Sequence, residues 1–161
     1  MQLRTGRMAL WLLASAVVCM AQPHQAQAAD CPAKPMLTVK DSQDGFAGTT
    51  GTIWTIKPDC SYEVARFRGT EVSPPHLRGQ LTPEQQSQLA SALSSAAVET
   101  LPARIGEPAP VNSRQISIDY GGKTAVLHLG MGDVALQGPS HDPAHRVVEI
   151  TKTVKGVTGN E

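Results

Sequence analysis

Apolar and polar residues alternate in several short stretches of this chain, and a period of two is typical of half-buried β-strands. The first three stretches are residues 36–40, 52–56 and 62–68. Their connections are too short for a parallel crossover, so we expect an antiparallel meander. Either face of the third stretch can be buried in this pattern.

A second β-unit follows in the C-terminal half. Residues 115–120 alternate with Ile116, Ile118 and Tyr120 on one face, and residues 123–129 alternate in the same way. The Gly121-Gly122 pair between them is a strong signal for a two-residue turn. These residues predict a β-hairpin.

The period changes to that of a helix in two places. Thr82 is a good N-cap, Pro83 suits the first helical position and Gln85 completes a capping box, so a helix is predicted over residues 83–99. A last helix is predicted to open at Pro143, with Asp142 as its cap. The apolar stripes predicted for the two helices are Leu89, Leu93, Ala96 and Ala97 in the first, and Val147, Ile150, Val154 and Val157 in the second.

The order of elements is therefore βββ-α-ββ-α, with strands and helices segregated along the chain. This order favours an α+β fold. We expect a two-layer sandwich with a mostly antiparallel sheet of about five strands and two helices on one face.

The N-terminus has the layout of a secretory signal peptide. A basic start with Arg4 and Arg7 precedes an apolar core at residues 8–20, and Ala26-Gln27-Ala28 fits the cleavage rule. The prediction is a signal peptide over residues 1–28 and a single domain over residues 29–161, located outside the cell or in the periplasm. An uncleaved membrane anchor is the alternative.

The predicted domain carries no signal for nucleic acid or membrane. Removal of two arginines and no acid shifts the net charge from 0 to −2, whereas a nucleic-acid-binding protein needs a clustered basic excess. No later apolar run is long enough to span a bilayer, so no membrane span is predicted in the mature chain.

Two cysteines remain after the predicted cleavage, Cys31 and Cys60. An even pair in an exported protein is usually oxidised, so we predict a disulfide. It would close a loop of about 30 residues and stabilise the fold by roughly 3–4 kcal/mol.

A glycine-rich stretch separates the first two predicted strands. Residues 43–51 hold three glycines and one large aromatic residue, Phe46. Binding residues are concentrated on loops held by a rigid scaffold, so Phe46 either covers the core or points outward as an anchor. The candidate protein-binding residues are Asp44, Gly45, Phe46, Ala47 and Gly48.

The candidate metal ligands are the four histidines that follow the predicted cleavage site: His76, His128, His141 and His145. His141 and His145 are four residues apart, the spacing of two ligands on one helix face. Pro143 lies between them, however, and predicts that His141 precedes the helix. We predict no metal and no cofactor.

Other candidate chemistry is less specific. No serine lies in a Gly-x-Ser-x-Gly elbow, so we predict a protein that is not an enzyme, with a small hydrolase as the alternative. Asp41 and Asp44 are expected to fix turns by hydrogen bonds to backbone amides. Arg66, Arg68 and Arg78 form a solvated sheet face or, alternatively, a docking surface for an acidic partner.

The run Asp44-Gly45-Phe46-Ala47-Gly48 after an early strand resembles the N-terminal signature of emfourin-like proteins. The order of later elements is similar, from Gly79-Gln80-Leu81 before the first helix to Ile116-Ser117-Ile118 and its hairpin, and the resemblance covers about residues 36–155. The signal peptide and the cysteine pair are departures from the family pattern.

Emfourin is a proteinaceous inhibitor of protealysin, a thermolysin-like zinc metalloprotease. The resemblance therefore implies a small α+β domain that blocks a protease cleft. Such enzymes favour a bulky apolar residue just after the cut bond, and Phe46 has the chemistry to fill that pocket. We predict an inhibitor of a secreted or periplasmic metalloprotease, with a cell-envelope binding module of unknown ligand as the alternative.

Overall fold

Alternating side chains in two nine-residue strands build the centre of the sheet. The structure is a computed structural model that describes residues 31, 36–109, 111–130 and 141–159. The predicted signal peptide and its cleavage site lie outside the described residues. The strands are β1 (Leu37–Gly45), β2 (Gly48–Ile56), β3 (Ser61–Arg68), β4 (Glu71–Val72), β5 (Leu77–Gln80), β6 (Arg104–Ile105), β7 (Arg114–Tyr120) and β8 (Lys123–Leu129), and the helices are α1 (Pro83–Ala96) and α2 (His141–Thr158).

The sheet has the order β4-β3-β2-β1-β7-β8-β6, with β5 also paired to β3. The α+β class and the predominance of antiparallel pairs are confirmed, and the short β6 is the parallel exception, beside β8. The predicted number of strands is wrong, because the described part of the sheet has eight. The three extra strands have only two to four residues and follow no alternation long enough to signal a strand.

One face of the sheet packs against both helices and forms the core. Directly opposed residues of antiparallel strands share a face, so Leu37 with Ile56 and Val39 with Trp54 lie together beneath the helices. The third strand contributes Val64, opposite Trp54. The core residues from β7, β8 and α2 include Ile116, Ile118, Ala125, Leu127, Val147, Ile150, Val154 and Val157.

Helix α1 begins as predicted. The Thr82 hydroxyl accepts a hydrogen bond from the Gln85 N–H, and the Gln85 side chain accepts one from the Thr82 N–H, which completes the capping box. The helix ends earlier than predicted, because Ala97 adopts the left-handed conformation with φ 43° and a short 3₁₀ turn follows over Val98–Thr100. Ala97 is therefore exposed and leaves the apolar stripe.

Helix α2 begins before the predicted position. Its described part begins at His141 rather than Pro143. Proline is tolerated in a first turn because its missing N–H would have no intrahelical partner there. The predicted stripe of Val147, Ile150 and Val154 is confirmed, since all three are fully buried.

The Cys31–Cys60 disulfide is formed, as predicted, over a sequence separation of 29 residues. Cys60 lies in the β2–β3 turn with φ 63°, and both cysteines are buried. The bond therefore attaches the chain before β1 to the end of the sheet opposite the β1–β2 turn.

Candidate protein-binding site at the β1–β2 turn

The glycine-rich stretch is a β-hairpin and not a loop. Strands β1 and β2 pair residue by residue until Gly45 opposes Gly48, which leaves Phe46 and Ala47 as the turn. The predicted loop over residues 43–51 is wrong in this respect. The strands were not predicted over these residues, because polar residues and glycines do not give the apolar alternation on which the prediction depended.

The neighbouring strands support the hairpin nearly to its end. Pairing with β7 continues to Gln43 opposite Arg114, and the Gly69 N–H donates to the Thr49 carbonyl at 2.7 Å. Only residues 45–48 extend past these supports. We call these four residues the hairpin tip.

Glycine at position 48 makes the turn possible. Gly48 has φ +90°, a conformation that L side chains rarely adopt. A Cβ at Gly48 would meet no atom within 4 Å, so the requirement there is conformational and not steric.

Phe46 is the most exposed large apolar residue among those described. Its exposed fraction is 111% of the reference value, compared with 63% for Val111 and 57% for Val72. The sequence allowed Phe46 either to cover the core or to point outward. In the structure it points outward.

Hydrogen bonds fix the base of the tip. The Asp44 carboxylate accepts from the Thr49 hydroxyl at 2.6 Å and from the Ser113 hydroxyl, while the Asp44 N–H donates to the Ser113 carbonyl at 2.8 Å. The Gln43 side chain donates to the Asn112 carbonyl at 2.9 Å. The hydrogen bonds from Ser113 and Thr49 lower the pKa of Asp44, so this support is retained at neutral pH. The carboxylate accepts from hydroxyl groups and not, as predicted, from backbone amides.

The Phe67 ring covers the hairpin on the face of the sheet opposite the helices. A Cβ at Gly51 would lie 2.1 Å from the Asp41 carbonyl oxygen and 2.6 Å from the Phe67 ring. Lys40 Nζ lies over the same ring, 4.0 Å from its centroid. Only glycine fits at position 51, and the Phe67 ring occupies the space that its missing side chain leaves.

An ion-pair cluster attaches the hairpin to helix α2 on the other face. Asp41 accepts from Arg114 at 3.0 and 2.8 Å and from Lys155 Nζ at 3.0 Å, with its side chain 14% exposed. Lys155 also lies 5.1 Å from the centroid of the Trp54 ring. Burial acts to raise the pKa of Asp41, but the hydrogen bonds and positive charges of Arg114 and Lys155 outweigh it and lower the pKa. Sequence reasoning missed this cluster, because Asp41 and Lys155 are far apart in the chain.

The three arginines predicted as one patch lie on two faces. Arg66 opposes Thr52 and shares the helix-side face, where Arg68 also lies, opposite Thr50. Arg78 opposes Glu63 on the other face and lies 3.4 Å from its carboxylate.

The structure brings two histidines together at the start of α2. His141 lies inside α2, contrary to the prediction, and its ring centroid is 4.8 Å from that of His145. Within the described ranges, no three histidine, cysteine, aspartate or glutamate residues are grouped as metal ligands.

A cavity of about 780 Å³ forms an open groove between α1 and α2. It holds His145, Glu149 and several serines of α1, but Glu149 pairs with Lys152 at 2.9 Å. Among the described residues no hydrogen bond joins a groove serine to His145.

No protein-family model matches the chain, and no curated protein matches it. In the portion that the structure describes, none of the helices has the length and apolar character needed to cross a bilayer.

Proposed function

We propose that this chain is an exported binding protein whose hairpin tip enters a pocket of a thermolysin-like metalloprotease and inhibits it. The observation that carries the proposal is the full exposure of Phe46 on a turn whose strands are paired up to its edge. A single exposed apolar residue is common on protein surfaces, but an aromatic side chain held at the end of a supported turn has the form of an anchor, and aromatic anchors in a partner's pocket are frequent hot spots.

Support from neighbouring strands favours tight binding. The hydrogen bonds of Asp44 and Gln43 and the pairing of β1 with β7 hold the tip before any partner arrives. A pre-ordered segment loses less conformational entropy on binding.

The geometry also restricts the mode of binding. Backbone groups of residues 43–44 and 49–50 are used in pairing within the sheet, so the hairpin cannot lie in a cleft as a free extended strand. In this proposal Phe46 enters the pocket for the residue after the cut bond. The Gly45–Phe46 bond then lies in a tight turn instead of the extended form that a protease cuts.

The compartment is part of the proposal. Disulfides persist in oxidising compartments, and the Cys31–Cys60 bond supports a location outside the cell or in the periplasm. The resemblance of residues 44–48 to emfourin-like proteins supports the choice of protease class.

The test is titration of thermolysin with the exported protein, residues 29–161, purified with its disulfide oxidised. We expect stoichiometric inhibition, and we expect Phe46→Ala to weaken it at least about tenfold, or 1.4 kcal/mol. Met36→Ala is the matched control, because Met36 is 51% exposed just before β1, at the opposite end from the tip.

Mass spectrometry of the incubated mixture separates an inhibitor from a substrate. Rapid cleavage at Gly45–Phe46 without inhibition would show that the tip is merely digested. Failure to inhibit across several thermolysin-like enzymes would leave the cell-envelope binding module as the better hypothesis.

A further inference from the structure

A second surface lies on β2 and β3, on the face that carries the helices. Trp54 and Val64 oppose each other in the core, and the next pairs towards the tip are Thr52 with Arg66 and Thr50 with Arg68. Side chains two residues apart share a face. Both arginines are exposed, so the sheet extends here beyond the cover of the helices.

A cleft of about 330 Å³ adjoins these arginines. Its lining includes Thr50 and Thr52 of β2, Asp41 and Gln43 of β1 and Lys155 of α2. The Thr50 and Thr52 hydroxyls can donate hydrogen bonds beside the two guanidinium groups. The Gln43 amide already donates to the Asn112 carbonyl, and the Lys155 ammonium to Asp41.

The charge of this region is positive. Asp41 is already paired with Arg114 and Lys155, and the other nearby carboxylate is Glu71, opposite Arg68. Neither Arg66 nor Arg68 forms an ion pair with a carboxylate of the described residues. We call Thr50, Thr52, Arg66 and Arg68 the basic strip.

We propose that the basic strip binds an acidic segment of a protein partner. Guanidinium groups hold carboxylates by two parallel hydrogen bonds, and threonine hydroxyls can donate to the same oxygens. Thr50 is two residues along β2 from Gly48 of the hairpin tip, a separation of about 7 Å along the strand. One partner can therefore contact both.

This inference rests on the proposed function in assigning the acidic segment to the partner that receives Phe46. Nucleic acid is the less favoured ligand, because strong phosphate binding needs many more cations than the strip provides. Acidic residues near the protease cleft would instead increase the association rate through electrostatic steering.

The test uses a fluorescein-labelled peptide of eight glutamates and measures fluorescence anisotropy with the oxidised full chain at low salt. We expect saturable binding, and we expect Arg66→Gln/Arg68→Gln to weaken it at least about fivefold. The matched control is Arg78→Gln, which removes an exposed arginine from β5 on the opposite face and should leave the affinity unchanged. Circular dichroism checks that all variants are folded.

Two further measurements keep this inference separable from the proposed function. Phe46→Ala should bind the peptide as the parent does, whether or not the chain inhibits thermolysin. Equal binding by the parent and the double variant would overturn the inference, and so would the absence of binding. An oligothymidylate of equal charge that binds as tightly as the peptide would also overturn it, since the strip would then be a general anion surface.

Discussion

The two halves of the β1–β2 hairpin differ sharply in the exposure of their apolar side chains. In the half covered by the helices, Leu37 and Val39 are 0% exposed, whereas Phe46 at the other end is 111% exposed. One pair of strands thus supplies the centre of the core and the most prominent surface feature. The covered half therefore stabilises the fold, whereas the projecting half is free to carry binding chemistry.

Truncation in the covered half should have the largest effect. Leu37→Ala removes a fully buried side chain from the core and should lower the free energy of unfolding by about 2–5 kcal/mol. Urea denaturation followed by circular dichroism measures it. Thr50→Ala in the projecting half is the control and should change the value by less than about 0.5 kcal/mol. Equal losses would contradict the division into two halves.

Loss of the disulfide should have the second-largest effect on stability. Cys31→Ala/Cys60→Ala opens a loop with a sequence separation of 29 residues and should destabilise the protein by about 2–4 kcal/mol, because the unfolded chain gains entropy. Reduction of the parent should produce a similar fall in the urea midpoint. A midpoint unchanged by either treatment would show that the bond is dispensable.

The ion-pair cluster connects the two halves, and its removal should cost less. Asp41→Asn should destabilise the protein at pH 7 by about 1.5–3 kcal/mol, since Arg114 and Lys155 lose their shared carboxylate. The pKa of Asp41 is lowered in the folded state. The stabilising contribution is therefore complete above about pH 4 and is lost as the pH falls through the folded pKa.

Urea denaturation between pH 7 and pH 2 tests this dependence. The difference in stability between the parent and Asp41→Asn should shrink as the solution is acidified. Asp119→Asn removes an exposed carboxylate on the opposite face and is the control for loss of a charge outside the cluster. A stability difference that stays constant with pH would contradict a stabilising role for the ionised Asp41 carboxylate.

Substitution at the junction of the two halves should have a somewhat smaller effect. Gly51→Ala places a Cβ against the Asp41 carbonyl and the Phe67 ring and should cost about 1–3 kcal/mol. Gly45→Ala is the matched control, because its nearest neighbour would be the Gly48 carbonyl oxygen at 4.0 Å. Thermal denaturation of both variants is sufficient, and similar midpoints would contradict the close approach at position 51.

Phe46→Ala should affect stability least. Phe46 is exposed and is not part of the core that the described residues form, so the free energy of unfolding should stay within about 0.5 kcal/mol of the parent. The same urea titration gives this value, and the thermolysin assay should show the loss of binding. A loss of several kcal/mol would mean that the ring supports the fold, against its exposed position.

Local patterns were good predictors of regular elements. The capping box of Thr82 and Gln85, the Gly121-Gly122 turn and the apolar stripe of α2 are all present as expected. Each depends on residues within a few positions of one another. Strands β4, β5 and β6 were missed because two to four residues are too few for a periodic signal.

The candidate site was predicted in position but not in form. Residues 43–45 and 48–51 lack apolar alternation, and pairing with β3 and β7 on either side gives them strand structure. The cluster of Asp41, Arg114 and Lys155 was not predictable, because its members come from three elements that only packing brings together.

By itself the sequence determined the α+β class, both helices, the C-terminal hairpin and the pairing of Cys31 with Cys60. These follow from periodicity, capping and composition, which are local properties or simple counts. The tertiary structure decided that Phe46 points outward, that Gly51 faces Phe67 and that Arg66 and Arg68 share a face without Arg78. Such features depend on strand register and on where the helix layer ends, and both are set by contacts between residues far apart in the chain.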